Sequence, residues 1–160
     1  MTNFLGEYNA KVDDKWRVVL PAAFKSVLSS DPESAQDNRL VVRKENFSDC
    51  LEVFTYREWE RQSEKVRAKL NPVFNRDHAK FWRAYMYNTC IVEPDAKLGR
   101  ISLPKKLLEL IGVNPEEGCR EVVFHGEDYK IEIWAKDRFE SNIISTEEFL
   151  SIAGSLSENI

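Results

Sequence analysis

The sequence predicts an α+β, mainly β fold built from two copies of a ββαββ unit, with helices between and after the copies. The segment RVVLP at 17–21 recurs as RISLP at 100–104, which is 83 positions later. The segment LEVFTYREWE at 51–60 recurs as IEIWAKDRFE at 131–140, which is 80 positions later. Two matches in the same order at nearly the same offset indicate a tandem duplication. A longer loop at 29–38 in the first copy accounts for the three-residue difference.

Each copy has the same predicted order of elements. A first strand is predicted where Tyr8, Ala10 and Val12 alternate with polar residues. A second strand follows Arg17, and Pro21 then suits the start of a helix because its missing N–H would be unpaired there. In the second copy Pro104 begins the equivalent helix and Gly112 is placed to end it. The closing strands are predicted at 40–43 with 51–54, and at 122–124 with 131–134.

Helices are predicted outside the repeats. Thr55 and Glu58 form a candidate capping box for a helix that Asn71 and Pro72 end. A second amphipathic helix follows, and we expect its aromatic stripe to pack against the β units; the stripe comprises Phe74, His78, Phe81, Trp82 and Tyr85. A short helix is predicted from Glu147 to Leu156, with Ser145 and Glu148 as its capping pair.

These elements divide the chain into four segments. The predicted segments are a first repeat over 4–55, a helical connection over 56–88, a second repeat over 89–135 and a C-terminal helical tail over 136–160. A four-strand copy of this size buries too little apolar area to offset its ordering entropy. We therefore expect the two copies to share strands.

Composition restricts the class of protein. The 160 residues are 42% hydrophobic and 31% charged, as in soluble globular proteins. No apolar stretch approaches the roughly 20 residues that cross a bilayer, and no basic start precedes an apolar run. We therefore expect a cytoplasmic protein with no membrane partner.

Charge is unevenly distributed along the chain. The net charge is −4, which by itself argues against a nucleic-acid partner. Residues 61–88 nevertheless carry seven basic and two acidic side chains, whereas residues 141–160 carry three acidic side chains and no basic one. The average thus conceals a basic helical connection and an acidic tail.

No motif for catalysis or metal binding occurs. The three cysteines form no CxxC pair and are expected to be small buried thiols. His78 and His125 have no second histidine at ligand spacing. Because a Gly-rich phosphate loop and a nucleophile motif are also absent, we expect no enzyme activity, no catalytic residue, no metal, no cofactor and no small-molecule substrate.

The segment before each Arg–Leu–Pro block is the most unusual part of the chain. It reads VDDKWR at 12–17 and PDAKLGR at 94–100. One interpretation is a solvated hairpin turn whose aspartate accepts backbone hydrogen bonds and pairs with arginine. A second is DNA binding, in which arginine contacts guanine edges or phosphate and aspartate holds its guanidinium in position. Catalysis by Asp13 and Asp14 is disfavoured, since adjacent residues on a strand point to opposite faces.

Repetition favours DNA binding over the solvated turn. Two copies of one basic turn would place a symmetric pair of arms on one side of the protein, and DNA presents repeating phosphates and grooves.

The same segments also carry a family resemblance. FLGEYNAKVDDKWRVVLPAAF, CLEVFTYREWE, DAKLGRISLPKKLLELIGV and EVVFHGEDYKIEIWAKDRFE resemble segments of the MraZ family of bacterial transcriptional regulators, in the same order, over about residues 4–140.

The resemblance implies a fold and a function. It implies a double swapped-hairpin β-barrel related to AbrB-type DNA-binding domains, assembled into a homo-oligomeric ring. It also implies binding to double-stranded DNA at short direct repeats upstream of the division and cell-wall gene cluster, mainly as a repressor on the nucleoid. The alternative is an oligomeric interaction protein that keeps the barrel but not specific operator binding.

The resemblance also implies site residues. The family signature is an aspartate, three residues and an arginine in each copy. The implied DNA contacts are Lys15 and Arg17, with Lys97 and Arg100 as a second set; Asp13 and Asp95 would orient the arginines. Two features depart from the signature: Trp16 stands where the family commonly has Gly, and Asp95 lies five rather than four positions before Arg100.

Overall fold

The computed structural model describes residues 3–158 and confirms a mixed α+β fold. Its strands are β1 (Glu7–Lys11), β2 (Arg17–Val19), β3 (Leu40–Lys44), β4 (Cys50–Thr55), β5 (Thr89–Val92), β6 (Arg100–Ser102), β7 (Glu121–Gly126) and β8 (Ile131–Ala135). Its α-helices are α1 (Ala22–Ser30), α2 (Pro32–Gln36), α3 (Tyr56–Ala68), α4 (Arg76–Tyr87), α5 (Lys105–Leu110), α6 (Lys136–Phe139) and α7 (Thr146–Glu158). The strands of the two copies therefore correspond one to one.

The two copies exchange strands. Six strands form one antiparallel sheet in the order β1-β7-β8-β4-β3-β5, and β2 pairs with β6 in a separate two-stranded ribbon. The first strand of each copy thus pairs with the third strand of the other copy, and the two fourth strands pair at the centre. If each strand is replaced by the equivalent strand of the other copy, the same order is obtained when the sheet is read from its opposite edge. The strand exchange confirms that neither copy completes a sheet alone.

The implied closed barrel is wrong for this chain. Strands β1 and β5 lie at opposite edges of the sheet and do not pair with each other. Each leads through a turn into the β2–β6 ribbon, which supplies the buried residues Val18 and Ile101. The core therefore lies between two layers: the open six-stranded sheet, and the ribbon with α1 and α5, which covers one face of that sheet.

The main core lies between this sheet and its cover. Sheet residues such as Val42, Leu51 and Ile133 belong to one buried cluster with Phe24 of α1 and Leu107 of α5. Alternate strand positions point to the same face, so the predicted alternation in each copy produces one shared apolar layer. The opposite face carries a second cluster made of Cys50, Val123, Trp134 and Phe139.

Several local predictions are confirmed. The Thr55 hydroxyl accepts a hydrogen bond from the Glu58 N–H (3.2 Å) at the start of α3. Gly112 follows α5 with φ of 84°, as expected for a helix-ending glycine. The Ser145 hydroxyl accepts from the Glu148 N–H (3.1 Å) at the start of α7. The last two residues of the predicted tail, 159–160, lie outside the described residues.

Two expectations about burial are wrong in part. Tyr85 of α4 is buried, but Phe74 is 89% exposed and Phe81 is 45% exposed, so the aromatic stripe does not pack fully against the β units. Cys50 is buried, whereas Cys119 is exposed.

Among residues 3–158, no helix has the length and apolar character needed to cross a membrane.

Candidate nucleic-acid interface

The β2–β6 ribbon brings the two predicted arginines onto one face. Its register pairs Arg17 with Ser102, Val18 with Ile101, and Val19 with Arg100. Val18 and Ile101 point into the core. Because opposed residues share a face and alternate residues return to it, Arg17 and Arg100 both lie on the outer face. As diagonal neighbours they stand about 7–8 Å apart along the ribbon.

The first turn is organised by Asp13. One carboxylate oxygen of Asp13 accepts from the N–H groups of Lys15 and Arg17, both at 2.9 Å. The other oxygen accepts from Arg17 Nε, also at 2.9 Å. The Asp13 N–H donates to the Arg17 carbonyl (2.8 Å), which closes the turn. The carboxylate therefore fixes both the backbone of the turn and the guanidinium that follows it.

The second turn uses Asp95 in the same way despite its extra residue. One oxygen of Asp95 accepts from the N–H groups of Leu98 (2.8 Å) and Gly99 (3.2 Å). The other oxygen accepts from Arg100 Nε at 2.6 Å. The Asp95 N–H donates to the Arg100 carbonyl (2.9 Å). The additional residue changes which N–H groups reach the carboxylate, but the aspartate–arginine pair is kept.

The residue before each arginine has a left-handed backbone. Trp16 has φ of 62° and Gly99 has φ of 72°. Each then bonds to the other copy: the Trp16 carbonyl accepts from the Leu103 N–H (2.9 Å), and the Gly99 carbonyl accepts from the Leu20 N–H (3.0 Å). For a residue with a Cβ this backbone conformation costs roughly 1–2 kcal/mol. Gly99 therefore occupies a position that favours a residue without a Cβ, and Trp16 adopts the same conformation against its steric preference.

Both aspartates are held in the ionised form. Partial burial acts to raise the pKa of Asp13, but hydrogen bonds from the backbone and guanidinium of Arg17 and from Lys15 lower it below its ordinary value of 3.8. The Leu98 N–H and the Arg100 side chain lower the pKa of Asp95 well below its usual range. Ionised acceptors form the stronger hydrogen bonds to guanidinium, so each arginine is supported by a charged partner.

The cationic ends of the site remain available. Of the guanidinium nitrogens of Arg17 and Arg100, only Nε is hydrogen-bonded within residues 3–158, and the Nη atoms have no partner there. The side chains of these arginines are 28% and 25% exposed. Lys15 and Lys97 are exposed. Each guanidinium is therefore held at one edge and open at the other, with an exposed ammonium nearby in the same turn.

Different side chains brace the two turns. Arg120 supports the first: its Nη2 lies 2.9 Å from Asp14 Oδ1 and donates to the Pro115 carbonyl at 2.9 Å. Lys25 of α1 supports the second by donating from Nζ to the Leu98 carbonyl (3.1 Å). Each brace comes from the other copy, so the turns are fixed from outside their own repeats.

A buried charged row crosses the opposite face of the sheet and was not predicted. Arg43 Nη1 lies 2.8 Å from Glu52, and Lys130 Nζ lies 2.6 Å from Glu52 and 3.2 Å from Glu132. Glu52 and Glu132 oppose each other in the sheet, where like charges destabilise unless a cation intervenes. Lys130 is that cation. The sequence signal was the presence of charged residues at matching positions of otherwise apolar strands.

His125 is not isolated in the structure. Its Nδ1 lies 2.9 Å from Glu127, and ligand atoms of His125, Glu127 and Glu132 lie within 4.8 Å of one another. This geometry could accept a divalent cation. However, the Lys130 ammonium already neutralises Glu132, so we assign this group no functional role.

Comparison with known proteins gives consistent matches. The model of the family described as "MraZ protein, putative antitoxin-like" matches residues 3–81 and 86–153, one segment for each repeat. A protein of Bacteroides thetaiotaomicron named transcriptional regulator MraZ is 36% identical over 149 residues, covering 93% of this chain and 88% of the relative. Proteins of the same name from Christiangramia forsetii and Clostridium acetobutylicum are each 30% identical, covering 96% and 97% of this chain and 92% and 97% of the relatives.

Proposed function

The chain belongs to the MraZ family, and on that premise we propose that it is a DNA-binding transcriptional regulator that acts as a homo-oligomer. Its operator would consist of short direct repeats upstream of the division and cell-wall gene cluster, and its main effect would be repression. Such a regulator acts in the cytoplasm, on the nucleoid. We assign the exchanged strands to the swapped-hairpin class of AbrB-type domains, with the four segments predicted above as its divisions.

The observation that supports this proposal is the presence of both arginines on the outer face of the β2–β6 ribbon. A two-stranded ribbon is narrow enough to enter the major groove of DNA, and this one presents Arg17 and Arg100 together. Arginine contacts guanine O6 and N7 through two donors at once. The open Nη edges of both guanidinium groups suit that contact.

The remaining residues have supporting roles in the proposal. Lys15 and Lys97 contact phosphates, which adds affinity without sequence information. Asp13 and Asp95 do not touch DNA; they hold the two arginines through the Nε bonds of 2.9 and 2.6 Å. Because the rotamers of the arginines are fixed before binding, less conformational entropy is lost when they contact a base.

Assembly offsets the unfavourable overall charge. The chain carries a net charge of −4, so one ribbon, with only the few phosphate contacts of its two lysines, would bind weakly on its own. A homo-oligomer presents several ribbons to repeated sites, and the effective concentration of the second contact then raises the overall affinity by about 10²–10⁴. Direct repeats in the operator are the matching feature on the DNA.

Fluorescence anisotropy tests the proposal. The labelled duplex is the DNA upstream of the protein's own operon, the control is a scrambled duplex, and both are measured across a salt series. We expect preference for the native duplex and affinity that falls steeply with salt. Arg17→Ala should weaken binding to the native duplex about 5-fold or more while light scattering shows an unchanged assembly. Equal or absent binding to both duplexes at low salt would contradict the proposal and favour the oligomeric interaction protein.

A further inference from the structure

A cavity of about 330 Å³ lies between the second turn and the helices of the first copy. Residues 94–99 of the turn form one wall, and side chains of α1 and α2 form the other. This volume is at the lower end of the range of small-molecule sites, which is roughly 300–1,000 Å³. The cavity therefore has room for one small ligand beside the turn that precedes Arg100.

One wall of the cavity comes from the segment in which the two copies differ in length. The connection at 31–39 of the first copy contains α2, and Ser34 and Ala35 of this helix line the cavity. The equivalent connection of the second copy, at 111–120, instead brings Arg120 against the first turn, where it pairs with Asp14. The wall at α2 is therefore specific to the first copy and is not part of the repeat.

The lining of the cavity combines apolar area with an excess of positive charge. Leu20 and Leu28 supply apolar surface, whereas Lys25 and Lys97 supply two cations. Asp95 is the one acid among the described residues of the lining, and both of its carboxylate oxygens already accept hydrogen bonds from the turn. Cations beside apolar side chains suit a ligand that carries an acidic group on an apolar body.

Lys25 joins the cavity to the turn. Its Nζ donates to the Leu98 carbonyl (3.1 Å), and its Cδ lies 2.6 Å from the point where a Cβ of residue 99 would be, so its chain fills the space that Gly99 leaves. An ammonium has three N–H donors, and this hydrogen bond is the only one that Lys25 Nζ makes within residues 3–158. Two donors can therefore bind a carboxylate or a phosphate while the contact with Leu98 is kept.

The contact of Lys25 with Leu98 continues to the arginine. The N–H groups of Leu98 and Gly99 hold the Asp95 carboxylate, and that carboxylate accepts from Arg100 Nε at 2.6 Å. Hydrogen bonds thus run from the cavity to the outer face of the ribbon. A ligand that binds this arrangement stabilises it and shifts the population of the turn toward it.

We propose that the cavity binds a small organic anion, either a carboxylate or a phosphate monoester on an apolar body, and that the bound anion strengthens the contact of Arg100 with DNA. The proposal rests on DNA binding in the proposed function and adds an effector site to it. The acidic group accepts from the Lys25 ammonium, and the apolar body packs against Leu20 and Leu28. The anion is bound and released unchanged.

Saturation-transfer NMR of the intact protein without DNA tests the site. The probes are 2-naphthoate and 2-naphthyl phosphate, and neutral 2-naphthamide is the comparison. A ligand of this size reaches a Kd of about 1 mM at the efficiency usual for small ligands. We expect at least one anion to bind about 10-fold more tightly than the amide, because a charged acceptor forms the stronger hydrogen bond to an ammonium. The tighter of the two anions identifies the acidic group that the cavity prefers.

Two variants locate the bound probe. Lys25→Met removes the ammonium but keeps an unbranched chain against Gly99, and it should weaken binding of the anion about 10-fold. Ala35→Trp places an indole at an exposed position of the lining and should block the cavity. Circular dichroism checks that both variants fold. Lys105→Met is the matched control, because Lys105 of α5 is exposed and lies outside the cavity; it should bind the probes like the wild type. Anions that bind no better than the amide, or that bind both cavity variants as tightly as the wild type, would overturn the proposal.

Anisotropy with the operator duplex, at matched ionic strength, tests the effect on DNA. A saturating concentration of the anion should raise the affinity of the wild type about 5-fold. The rise should persist in Arg17→Ala and be absent in Arg100→Ala and in Lys25→Met, because the cavity acts on the second turn. No rise in the wild type, or an equal rise in Arg100→Ala, would overturn the proposal. A protein that prefers the native duplex but binds neither anion would contradict this proposal alone, whereas one that binds an anion but prefers neither duplex would contradict the proposed function.

Discussion

The two turns that precede the ribbon strands differ in sequence and agree in geometry. The first has three residues between aspartate and arginine, and the second has four. The first places Trp16 in the left-handed conformation, and the second places Gly99 there. In both, the aspartate accepts from backbone N–H groups and from the arginine Nε. The two turns therefore differ in length and sequence but hold the arginine side chain through the same kind of contact.

This comparison shows that the ribbon register, rather than the turn length, determines the site. The pairing of β2 with β6 places the arginines on one face whatever the turn contains. A turn then has only to return the chain and supply a carboxylate. The extra residue of the second turn is accommodated where the Asp95 carboxylate accepts from Leu98 and Gly99.

The largest expected effect is the loss of affinity for the operator, which we compare between Arg17→Ala and Arg100→Ala. Because the two arginines share a face and a mode of support, each substitution should cost about 1–3 kcal/mol. The two losses should lie within about threefold of each other by anisotropy. Arg57→Ala, which changes an exposed arginine on α3, is the control and should bind like the wild type. A loss confined to Arg17→Ala would show that the second turn does not contact DNA.

The next effect tests the left-handed position of the second turn. Gly99→Ala should lower the free energy of unfolding by about 1–2 kcal/mol, since a Cβ disfavours positive φ. The new Cβ would also lie 2.6 Å from Cδ of Lys25, which would have to move. Gly118→Ala has the same strain, at φ of 82°, but meets no neighbour, so it should cost less. Urea unfolding measures both, and equal stability of Gly99→Ala and wild type would contradict this account.

A smaller effect concerns Trp16, where a glycine variant should be more stable than an alanine variant, the reverse of the usual order of stability. Trp16→Gly loses the packing of the indole but relieves the backbone, whereas Trp16→Ala loses the packing and keeps the strain. We therefore expect the glycine variant to be more stable than the alanine variant by about 1 kcal/mol. Thermal unfolding compares them directly. An alanine variant as stable as the glycine variant would mean that Trp16 carries no strain.

The smallest effect is the pH dependence of the turns. The pKa values of Asp13 and Asp95 are below the ordinary value of 3.8 in the folded chain. Their stabilising contribution is therefore fully present above that value and is lost as the pH falls through the lower folded values. Asp13→Asn keeps the shape of the side chain without its charge, so it should flatten the decline of stability in acid. An unchanged decline would show that the carboxylate of Asp13 contributes nothing in its ionised form.

Much of the fold followed from local patterns. The duplication, the strands of each copy and the capping by Thr55 and Ser145 all depend on short-range preferences that sequence spacing records. Sharing of strands between the copies was also expected, from the small size of each copy, but the open sheet and the particular partners of β1 and β5 did not follow from the sequence. Pairing between distant strands depends on tertiary packing, which one sequence does not display.

The site was partly predictable for the same reason. Asp13 and Arg17 are close in sequence, so their contact could be expected from the turn alone. The contact of Asp95 with Arg100 depended on how one additional residue is accommodated, and the spacing alone did not decide it. Left-handed backbone at Trp16 was not predictable, because bulky residues rarely adopt positive φ. The braces from Lys25 and Arg120 come from the other copy and needed the fold.

The most direct test of the paired-ribbon account is hydrogen–deuterium exchange of the protein with and without the operator duplex. We expect slower exchange in both turns and their strands, at 12–19 and 94–102, and the same change in Arg57→Ala. Exchange in both segments should return to the free rate in a variant that combines Arg17→Ala with Arg100→Ala. Protection confined to the helical hairpin at 61–88, with both turns unchanged, would contradict the assignment of DNA recognition to the ribbon.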